Sequence, residues 1–215
     1  MQKLWIASAP TGWQEGLSLL TEDLHFTLDP AGLPLTAELS DHLAVRFDGA
    51  AAVISCREKA HFFRGAALLL HALAQGKPAF YLEETPGFER TGAMFDVSRN
   101  AVLRPESVRL LLRKMACMGL NAAMLYTEDT YEIEGEPRFG YMRGRYTVDE
   151  LRELDAFGAK IGIELVPCIQ TLAHLNQIFR WKEYAEINDV SDILLIDDEK
   201  TYALIEKMID RKSVV

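Results

Sequence analysis

The sequence is poor in cysteine and has no long apolar run. Both features bear on the cellular compartment in which we expect the protein. Cys56, Cys117 and Cys168 are odd in number and widely spaced, so we interpret them as buried thiols of a reducing compartment rather than as disulfides. No apolar run approaches the roughly 18 residues that a membrane helix needs. The N-terminus contains no signal-peptide core. We therefore expect a cytoplasmic protein that does not bind a membrane.

The chain also lacks an excess of basic residues. Its 23 Lys and Arg residues stand against 32 Asp and Glu residues, which gives a formal net charge of −9 over 215 residues. Nucleic-acid-binding proteins usually carry a basic face, so this balance argues against a nucleic-acid partner. The content of 49% hydrophobic and 26% charged residues is that of a globular protein. A chain of this length can hold one or two domains.

Common signatures of cofactor sites are missing as well. The histidines at positions 25, 42, 61 and 71 do not have the spacing of metal ligands. No glycine-rich phosphate loop follows the first strand that we predict after residue 88. We therefore expect no metal site at these histidines and no nucleotide held by a phosphate loop.

What the sequence does contain is two regions of different pattern, separated at Pro86 and Gly87. Residues 1–88 are typical of a small α+β domain. In this region we predict helices over residues 11–23 and 59–75, and a hairpin that joins strands 42–48 and 51–57.

From residue 89 onward, apolar strands alternate with amphipathic helices. We predict strands over 92–96, 121–126 and 162–167, and helices over 105–118, 147–160 and 199–209. This alternation indicates an α/β fold with a parallel sheet covered by helices, either doubly wound or a barrel. The missing phosphate loop argues against the doubly wound sheet. A complete barrel needs about 250 residues, so we expect that residues 89–215 are the first three β/α units of an incomplete TIM (β/α)₈ barrel.

Polar side chains follow each of these three strands. Arg99 comes after the first, Glu128 and Asp129 after the second, and Gln170 and His174 after the third. Functional groups of β/α barrels collect at the carboxyl ends of the strands. An arginine, two acids, an amide and an imidazole can donate to and accept from many hydroxyls, which favours a sugar-like ligand.

Each of these residues also has a purely structural interpretation. Arg99 could pair with Asp96 or Glu128, the two acids could begin a solvated loop, and Gln170 and His174 could be ordinary structural groups. The loop that contains Arg138, Arg143 and Arg145 could cover a substrate or be a surface loop tied by salt bridges.

Three motifs in order resemble the first three strands of glycoside hydrolase family 20, the β-N-acetylhexosaminidases. They are GAMFDVSRNAV at 92–102, LYTED at 125–129 and ELVPCIQTLAHL at 164–175. The Asp-x-Ser-Arg signature and the 29-residue spacing from Arg99 to Glu128 are specific features of this resemblance. The first 88 residues are similar, more loosely, to the small domain that commonly precedes this barrel.

The resemblance implies substrate-binding roles for the strand-end residues. Arg99 matches the arginine that holds sugar hydroxyls in the −1 subsite, and Glu128 and Asp129 match two aspartates after strand two. His174 matches the histidine that closes an Asp-x-x-Gly-His pattern, in which Gln170 stands at the aspartate position. This departure puts the usual Asp–His pairing in doubt and resembles a divergent branch of the family.

The implied activity is removal of terminal N-acetylhexosamine from carbohydrates by substrate-assisted, retaining catalysis without a cofactor. The family uses an Asp-Glu pair after strand four. The acidic cluster at 197–199 precedes the last helix instead, so we expect the catalytic pair to lie beyond Val215, with no strand four in 210–215. The 215-residue chain is then an N-terminal fragment that is inactive alone. A non-catalytic carbohydrate-binding module is the alternative; another barrel hydrolase, or an unrelated small α/β domain, explains the three motifs less well.

Overall fold

The structure, a computed structural model, describes the backbone of residues 1–212 and the side chains of residues 1–210. This part of the chain has a mixed α/β fold, as predicted. Its strands are β1 (Gln2–Ser8), β2 (Phe26–Leu28), β3 (Leu33–Leu39), β4 (Leu43–Phe47), β5 (Ala52–Cys56), β6 (Phe80–Glu84), β7 (Gly92–Asp96), β8 (Ala122–Thr127) and β9 (Glu164–Ile169). Its α-helices are α1 (Trp13–Ser18), α2 (Lys59–Ala74), α3 (Pro105–Met118), α4 (Val148–Lys160) and α5 (Glu199–Lys212).

The described residues form two compact units. The first consists of Met1–Ala93, Arg109–Ala122 and Phe157–Glu164, and the second of Met94–Val108, Ala123–Ala156 and the chain from Leu165 onward. This division follows packing rather than chain order. The domain boundary that the sequence suggests at residue 88 stays a prediction.

A six-stranded sheet forms the centre of the first unit. Its strand order is β2-β1-β3-β5-β4-β6, with β1, β2, β3 and β5 parallel and β4 antiparallel to both of its neighbours. The predicted hairpin is present between β4 and β5. Its turn includes Gly49 at a φ of 99°, and Asp48 Oδ1 accepts hydrogen bonds from the backbone N–H groups of Ala50 and Ala51.

Helix α2 packs its apolar face on β4 and β5. The face is formed by the buried side chains of Phe62, Phe63, Ala66, Leu69 and Leu70. Gly65 permits a close approach, because a Cβ atom at this position would lie 2.6 Å from Ile54 Cγ2. Burying each large apolar side chain contributes about 1.5–3 kcal/mol, so this face is a main source of the unit's stability.

Strands β7, β8 and β9 form a separate sheet in which β8 is central. The strands are parallel, because Val97 N–H donates to Tyr126 O (3.1 Å) and Gln170 N–H donates to Thr127 O (3.2 Å), which pairs the carboxyl end of each strand with that of its neighbour. Parallel pairing therefore places the segments after all three strands at one edge of the sheet.

The second unit has its own apolar core. Its buried members are Tyr131, Ile133, Phe139, Leu175, Ile178, Tyr184, Ile187, Leu194, Leu204 and Met208. The long segment between β8 and α4 is closed by a bridge between Tyr131 and Tyr146, and the Tyr146 hydroxyl donates to Leu103 O at 2.6 Å. The predicted capping box at the start of α4 is present, with mutual hydrogen bonds between Thr147 and Glu150. Two 3₁₀ helices, Ile178–Arg180 and Lys182–Ile187, precede α5.

The structure corrects some expectations about local structure. The helix predicted over 11–23 is limited to α1, because Gly12 adopts a left-handed conformation and the chain from residue 19 forms turns. Strands β1 and β6 were not predicted. Of the three free cysteines only Cys56 is fully buried; Cys117 and Cys168 are half-buried. Burial raises the pKa of Cys56 to about 12, so it stays a thiol at neutral pH.

Two further expectations concern a membrane-spanning helix and a fourth strand near the end of the chain. Within residues 1–212, no helix combines the length and the apolar character that spanning a membrane requires; the cytoplasmic location stays a prediction. We expect no fourth strand in 210–215. Residues 210–212 are part of α5, and residues 213–215 lie outside the part of the chain that the structure describes.

A buried carboxylate joins α3 to the turn after α1 in the first unit. The Asp23 side chain is 4% exposed, and its oxygens lie 2.6 Å from Arg113 Nε and 2.8 Å from Lys114 Nζ. Burial opposes ionisation, but the hydrogen bonds from Lys114 and Arg113 outweigh it and hold the pKa of Asp23 below its ordinary value. The charged form of Asp23 therefore stabilises the fold.

We expect Asp23→Asn to lower the free energy of unfolding by about 2 kcal/mol near neutral pH, because the two cations lose their charged partner. A depressed pKa stabilises the folded state above the unfolded value near 3.9, and this stabilisation is lost as the pH falls through the folded value. Denaturant unfolding at several pH values measures the difference, which should shrink below about pH 4. The exposed Asp41→Asn is the matched control; an equal loss in both variants contradicts the assignment.

Candidate functional site

The segments after β7, β8 and β9 surround a cavity of about 240 Å³. It is lined by Arg99, Glu128, Arg143, His174, Asn176, Gln177 and Asp192. Three of the five residues predicted to bind substrate, Arg99, Glu128 and His174, thus share one cavity. The other two, Asp129 and Gln170, are not among its lining residues.

The turn after β7 is built by Asp96 and places Arg99. Asp96 Oδ1 accepts hydrogen bonds from the Ser98 backbone N–H (3.0 Å), the Ser98 hydroxyl (3.0 Å) and the Arg99 backbone N–H (3.2 Å). Partial burial opposes ionisation of Asp96, but these donors outweigh it and hold its pKa below the ordinary value. The Asp-x-Ser-Arg sequence is thus a local folding motif whose last residue lines the cavity.

The Arg99 guanidinium contacts three neighbours and remains 57% exposed. Its Nη2 donates to the Tyr126 hydroxyl at 3.0 Å, and its Nε and Nη1 each lie 3.5 Å from an oxygen of Glu128 and Asp96, respectively. The structural interpretation of Arg99 as an ion-pair partner is therefore realised. The exposed part of its planar fork is still free to meet hydroxyls of a ligand.

Tyr126 connects Arg99 to Glu128. Burial raises the pKa of Tyr126, and the neighbouring Glu128 adds to this effect although Arg99 opposes it. The phenol is therefore protonated at neutral pH, and its hydroxyl lies 3.4 Å from Glu128 Oε1, to which it donates. Glu128, which is largely buried, is held between a phenol and a guanidinium.

Asp129 points away from the solvent and is held by Arg143. Its side chain is 2% exposed, and Asp129 Oδ1 lies 3.3 Å from Arg143 Nε. Neither atom has an aligned hydrogen-bond partner among the described residues, so the contact is an ion pair with unused hydrogen-bonding capacity. Burial raises the pKa of Asp129 above its ordinary value, while Arg143 opposes the shift. Arg143 also donates to the Ser98 carbonyl and thereby joins the segments after β7 and β8.

The loop that carries Arg143 packs tightly on the backbone of the segment after β8. Gly140 lies so close to the backbone of Asp129 that a Cβ atom would approach its carbonyl oxygen to 2.1 Å, and the φ of 63° at Gly140 favours glycine. Phe139 is fully buried beside it.

The arginine-rich loop combines the two roles considered for it. Some of its arginines tie the loop to its surroundings by ion pairs, and one lines the cavity. Arg138 lies over the rings of Tyr141 and Trp181, with 4.8 and 4.9 Å between its Cζ and their centroids, and 3.9 Å from Glu183. Arg145 lies 3.5 Å from Glu132. These two arginines tie the loop to its surroundings, whereas Arg143 lines the cavity.

The segment after β9 places His174 at the cavity and leaves Gln170 outside its lining. His174 has a φ of 62°, and its Nδ1 lies 3.7 Å from Asp192 Oδ2. Gln170 continues the ladder through its backbone and has a half-buried side chain. Gln177 presents a buried Oε1 atom that has no hydrogen-bond partner among the described residues.

Several residues of the site were not predicted from the sequence. Arg143 was singled out only as part of a loop, and the cavity residues Asn176, Gln177 and Asp192, with the neighbouring Tyr126, were not considered. Tyr126 could have been included by its strand-end position inside a motif, and Gln177 by its place two residues after another motif. Asp192 lies far from any motif, and only the folded chain brings it to His174.

The cavity offers donors and acceptors in balanced number. Two guanidinium groups, two carboxylates, one imidazole and two amides line it, which suits a neutral ligand rich in hydroxyl and amide groups. Across residues 1–210, no group of three or more His, Cys, Asp or Glu side chains is arranged to hold a metal ion.

Comparison with known proteins gives one curated relative and many solved structures. No protein-family model matches the chain. Hexosaminidase D of Bos taurus is 25% identical over 97 residues, which are 44% of this chain and 28% of that protein.

The solved structures share the fold. The family 20 exo-β-N-acetylglucosaminidase of Vibrio harveyi, in complex with N-acetylglucosamine, matches with a TM-score of 0.78 at 15% identity, over 99% of this chain and 41% of that one. A product-bound mutant of the Streptomyces plicatus β-hexosaminidase matches with a TM-score of 0.79 at 19% identity, over 99% of this chain and 52% of that one. The resemblance to glycoside hydrolase family 20 is therefore confirmed in the fold, and the chain spans about half of these structures or less.

We expect Arg143→Gln to lower the free energy of unfolding by about 3 kcal/mol, because Asp129 is then buried without its cation. Chemical denaturation measures the loss. A raised pKa favours the folded state at low pH and disfavours it as the pH rises through the folded value, so the loss should be largest at neutral pH and shrink on acidification.

The double variant Arg143→Gln/Asp129→Asn should recover at least half of that loss, since it removes the unpaired charge. Arg152→Gln is the control, because its pair with Asp149 is exposed and worth less than about 1 kcal/mol. Equal losses in the single and double variants would show that the two residues are not coupled.

Proposed function

We propose that this chain is part of a glycoside hydrolase family 20 β-N-acetylhexosaminidase, and that its cavity binds the terminal N-acetylhexosamine of a carbohydrate. The observation that carries the proposal is the set of Arg99, Tyr126 and Glu128 at the strand ends, with Arg99 and Glu128 lining one cavity and Tyr126 joining them. The first two of the three motifs supply these residues, and relatives that match the chain are named hexosaminidases or N-acetylglucosaminidases.

Arg99 is assigned to the sugar hydroxyls farthest from the bond that is cleaved. A guanidinium donates two parallel hydrogen bonds at a spacing that fits vicinal hydroxyl oxygens. Its ion pairs with Asp96 and Glu128 hold the group in place before the ligand arrives. Binding then costs little conformational entropy.

Glu128 and His174 are assigned to the same sugar from other sides of the cavity. Glu128 can accept from a hydroxyl while Tyr126 and Arg99 hold its carboxylate. Asp129 acts through Arg143, which its charge holds beside the cavity, and Gln170 stays a proposed substrate-binding residue by its position in the motif.

We assign the reaction to the family's substrate-assisted mechanism. The acetamido oxygen of the sugar attacks the anomeric carbon, the glycosidic bond breaks, and a general acid protonates the leaving oxygen; water then opens the resulting oxazolinium ion. In this chain the acidic cluster at 197–199 serves another purpose, because Asp198 Oδ1 accepts from the backbone N–H groups of Lys200 (2.8 Å) and Thr201 (3.3 Å) at the start of α5. We therefore place the catalytic Asp-Glu pair outside this chain.

The proposal includes the architecture. Strands β7, β8 and β9 with helices α3, α4 and α5 are then the first three β/α units of a (β/α)₈ barrel, and the chain without the remaining units is inactive. The use of Asp198 as a helix cap also favours the second candidate, a carbohydrate-binding module that retains Arg99 and Glu128 without an acid pair.

We expect Arg99→Ala to lower kcat/KM of the complete protein on 4-nitrophenyl N-acetyl-β-glucosaminide at least about 100-fold, because charge-assisted hydrogen bonds to the sugar are lost. Release of 4-nitrophenol measures the rate. The exposed Arg152→Ala is the control and should leave the rate unchanged. A complete protein with no activity on this substrate that still binds N-acetylglucosamine through Arg99 would favour the binding module. Turnover by the purified 215-residue chain would contradict its proposed inactivity.

A further inference from the structure

We infer that Asp192 is the positioning residue of His174. Gln170, four residues before His174, cannot carry a negative charge. The inference rests on the proposed function, since it concerns how one residue of the proposed sugar site is oriented.

The geometry brings the two side chains together inside the cavity. His174 Nδ1 lies 3.7 Å from Asp192 Oδ2, with the two side chains 55% and 32% exposed, and both residues line the cavity with Arg99 and Glu128. Hydrogen bonds of binding sites are often long without a ligand and shorten when it binds. The carboxylate thus faces one nitrogen of the imidazole.

The backbone fixes this arrangement independently of the side chains. Leu175 N–H donates to the Asp192 carbonyl (3.1 Å), and Leu194 N–H donates to the Leu172 carbonyl (2.9 Å). Leu175 and Leu194 are fully buried in the core of the second unit. The segments on either side of the pair are therefore anchored, which a chance contact between surface loops would not require.

Backbone conformation at the pair is unusual on both sides. His174 has a φ of 62°, and Ser191, directly before Asp192, has a φ of 55°. Non-glycine residues in this region cost free energy and persist where the surrounding structure imposes them. Here the two conformations accompany the approach of the imidazole to the carboxylate.

The chemical consequence concerns the tautomer of His174. A carboxylate beside Nδ1 favours the form in which Nδ1 carries the proton, so that Nε2 is a hydrogen-bond acceptor. The remaining charged groups that line the cavity are Arg99, Glu128 and Arg143. Arg99 is paired with Glu128, and Arg143 is paired with Asp129. Asp192 is thus the cavity carboxylate placed to orient the imidazole.

The test compares Asp192→Asn, Asp192→Glu and the control Asp189→Asn in the complete protein. Asp189 is an exposed acid of the same loop. We expect Asp192→Asn to lower kcat/KM about 10- to 100-fold, the range for loss of a carboxylate that orients a metal-bound histidine, with a raised KM because His174 is assigned to binding the sugar. Asp192→Glu should recover most of the activity because it restores the charge, and Asp189→Asn should behave as the unchanged protein.

A spectroscopic measurement separates orientation from general damage. In ¹⁵N-histidine-labelled protein, the Nδ1 and Nε2 shifts of His174, assigned with His174→Gln, should indicate protonated Nδ1 and unprotonated Nε2. Asp192→Asn should shift this balance toward protonated Nε2, while thermal unfolding of the variant checks that it is folded. An unchanged tautomer, or a loss of kcat/KM no larger than in Asp189→Asn, overturns the inference. If the unaltered protein shows no hydrolysis, the proposed function fails, whereas the NMR comparison still decides whether Asp192 orients His174.

Discussion

The buried ion pair between Asp129 and Arg143 is the interaction on which the candidate site depends. A carboxylate that is 2% exposed is tolerated only with a charged partner, and that partner comes from a loop 14 residues later in the chain. Arg143 also donates to the Ser98 carbonyl. One guanidinium thus joins the segments after β7 and β8, next to the turn in which Asp96 places Arg99.

Arg99, Glu128 and His174 are also held by neighbours before any ligand binds. Asp96 folds the turn that carries Arg99, Tyr126 joins Arg99 to Glu128, and the backbone bonds beside His174 anchor the third segment. A site of this kind needs little rearrangement when a ligand enters, so little of the binding free energy is lost to ordering side chains. The balance of positive and negative groups keeps the cavity suited to hydroxyls rather than to an anion.

The segment after β9 meets a loop that lies later in the chain. In the folded protein the carboxylate beside His174 belongs to Asp192, from a loop that packs on the histidine segment through Leu175 and Leu194. Gln170, which is close to His174 in sequence, cannot supply a charge there.

The sequence by itself determined the features that depend on neighbouring residues. Strand β7, helix α3 and the capping box of α4 were predictable because periodicity, caps and glycine stops act within a few residues, and the order of the three motifs was enough to indicate the family 20 fold. Strands β1 and β6 were missed because their hydrogen-bond partners lie far away in the chain. The tertiary structure alone decided that Arg143 and Asp192 enter the cavity and that Gln170 does not line it. The physical reason is that an ion pair forms between residues that are close in space, and their separation along the chain does not reveal this closeness. A turn or a helix cap, by contrast, depends on residues that are adjacent in the sequence.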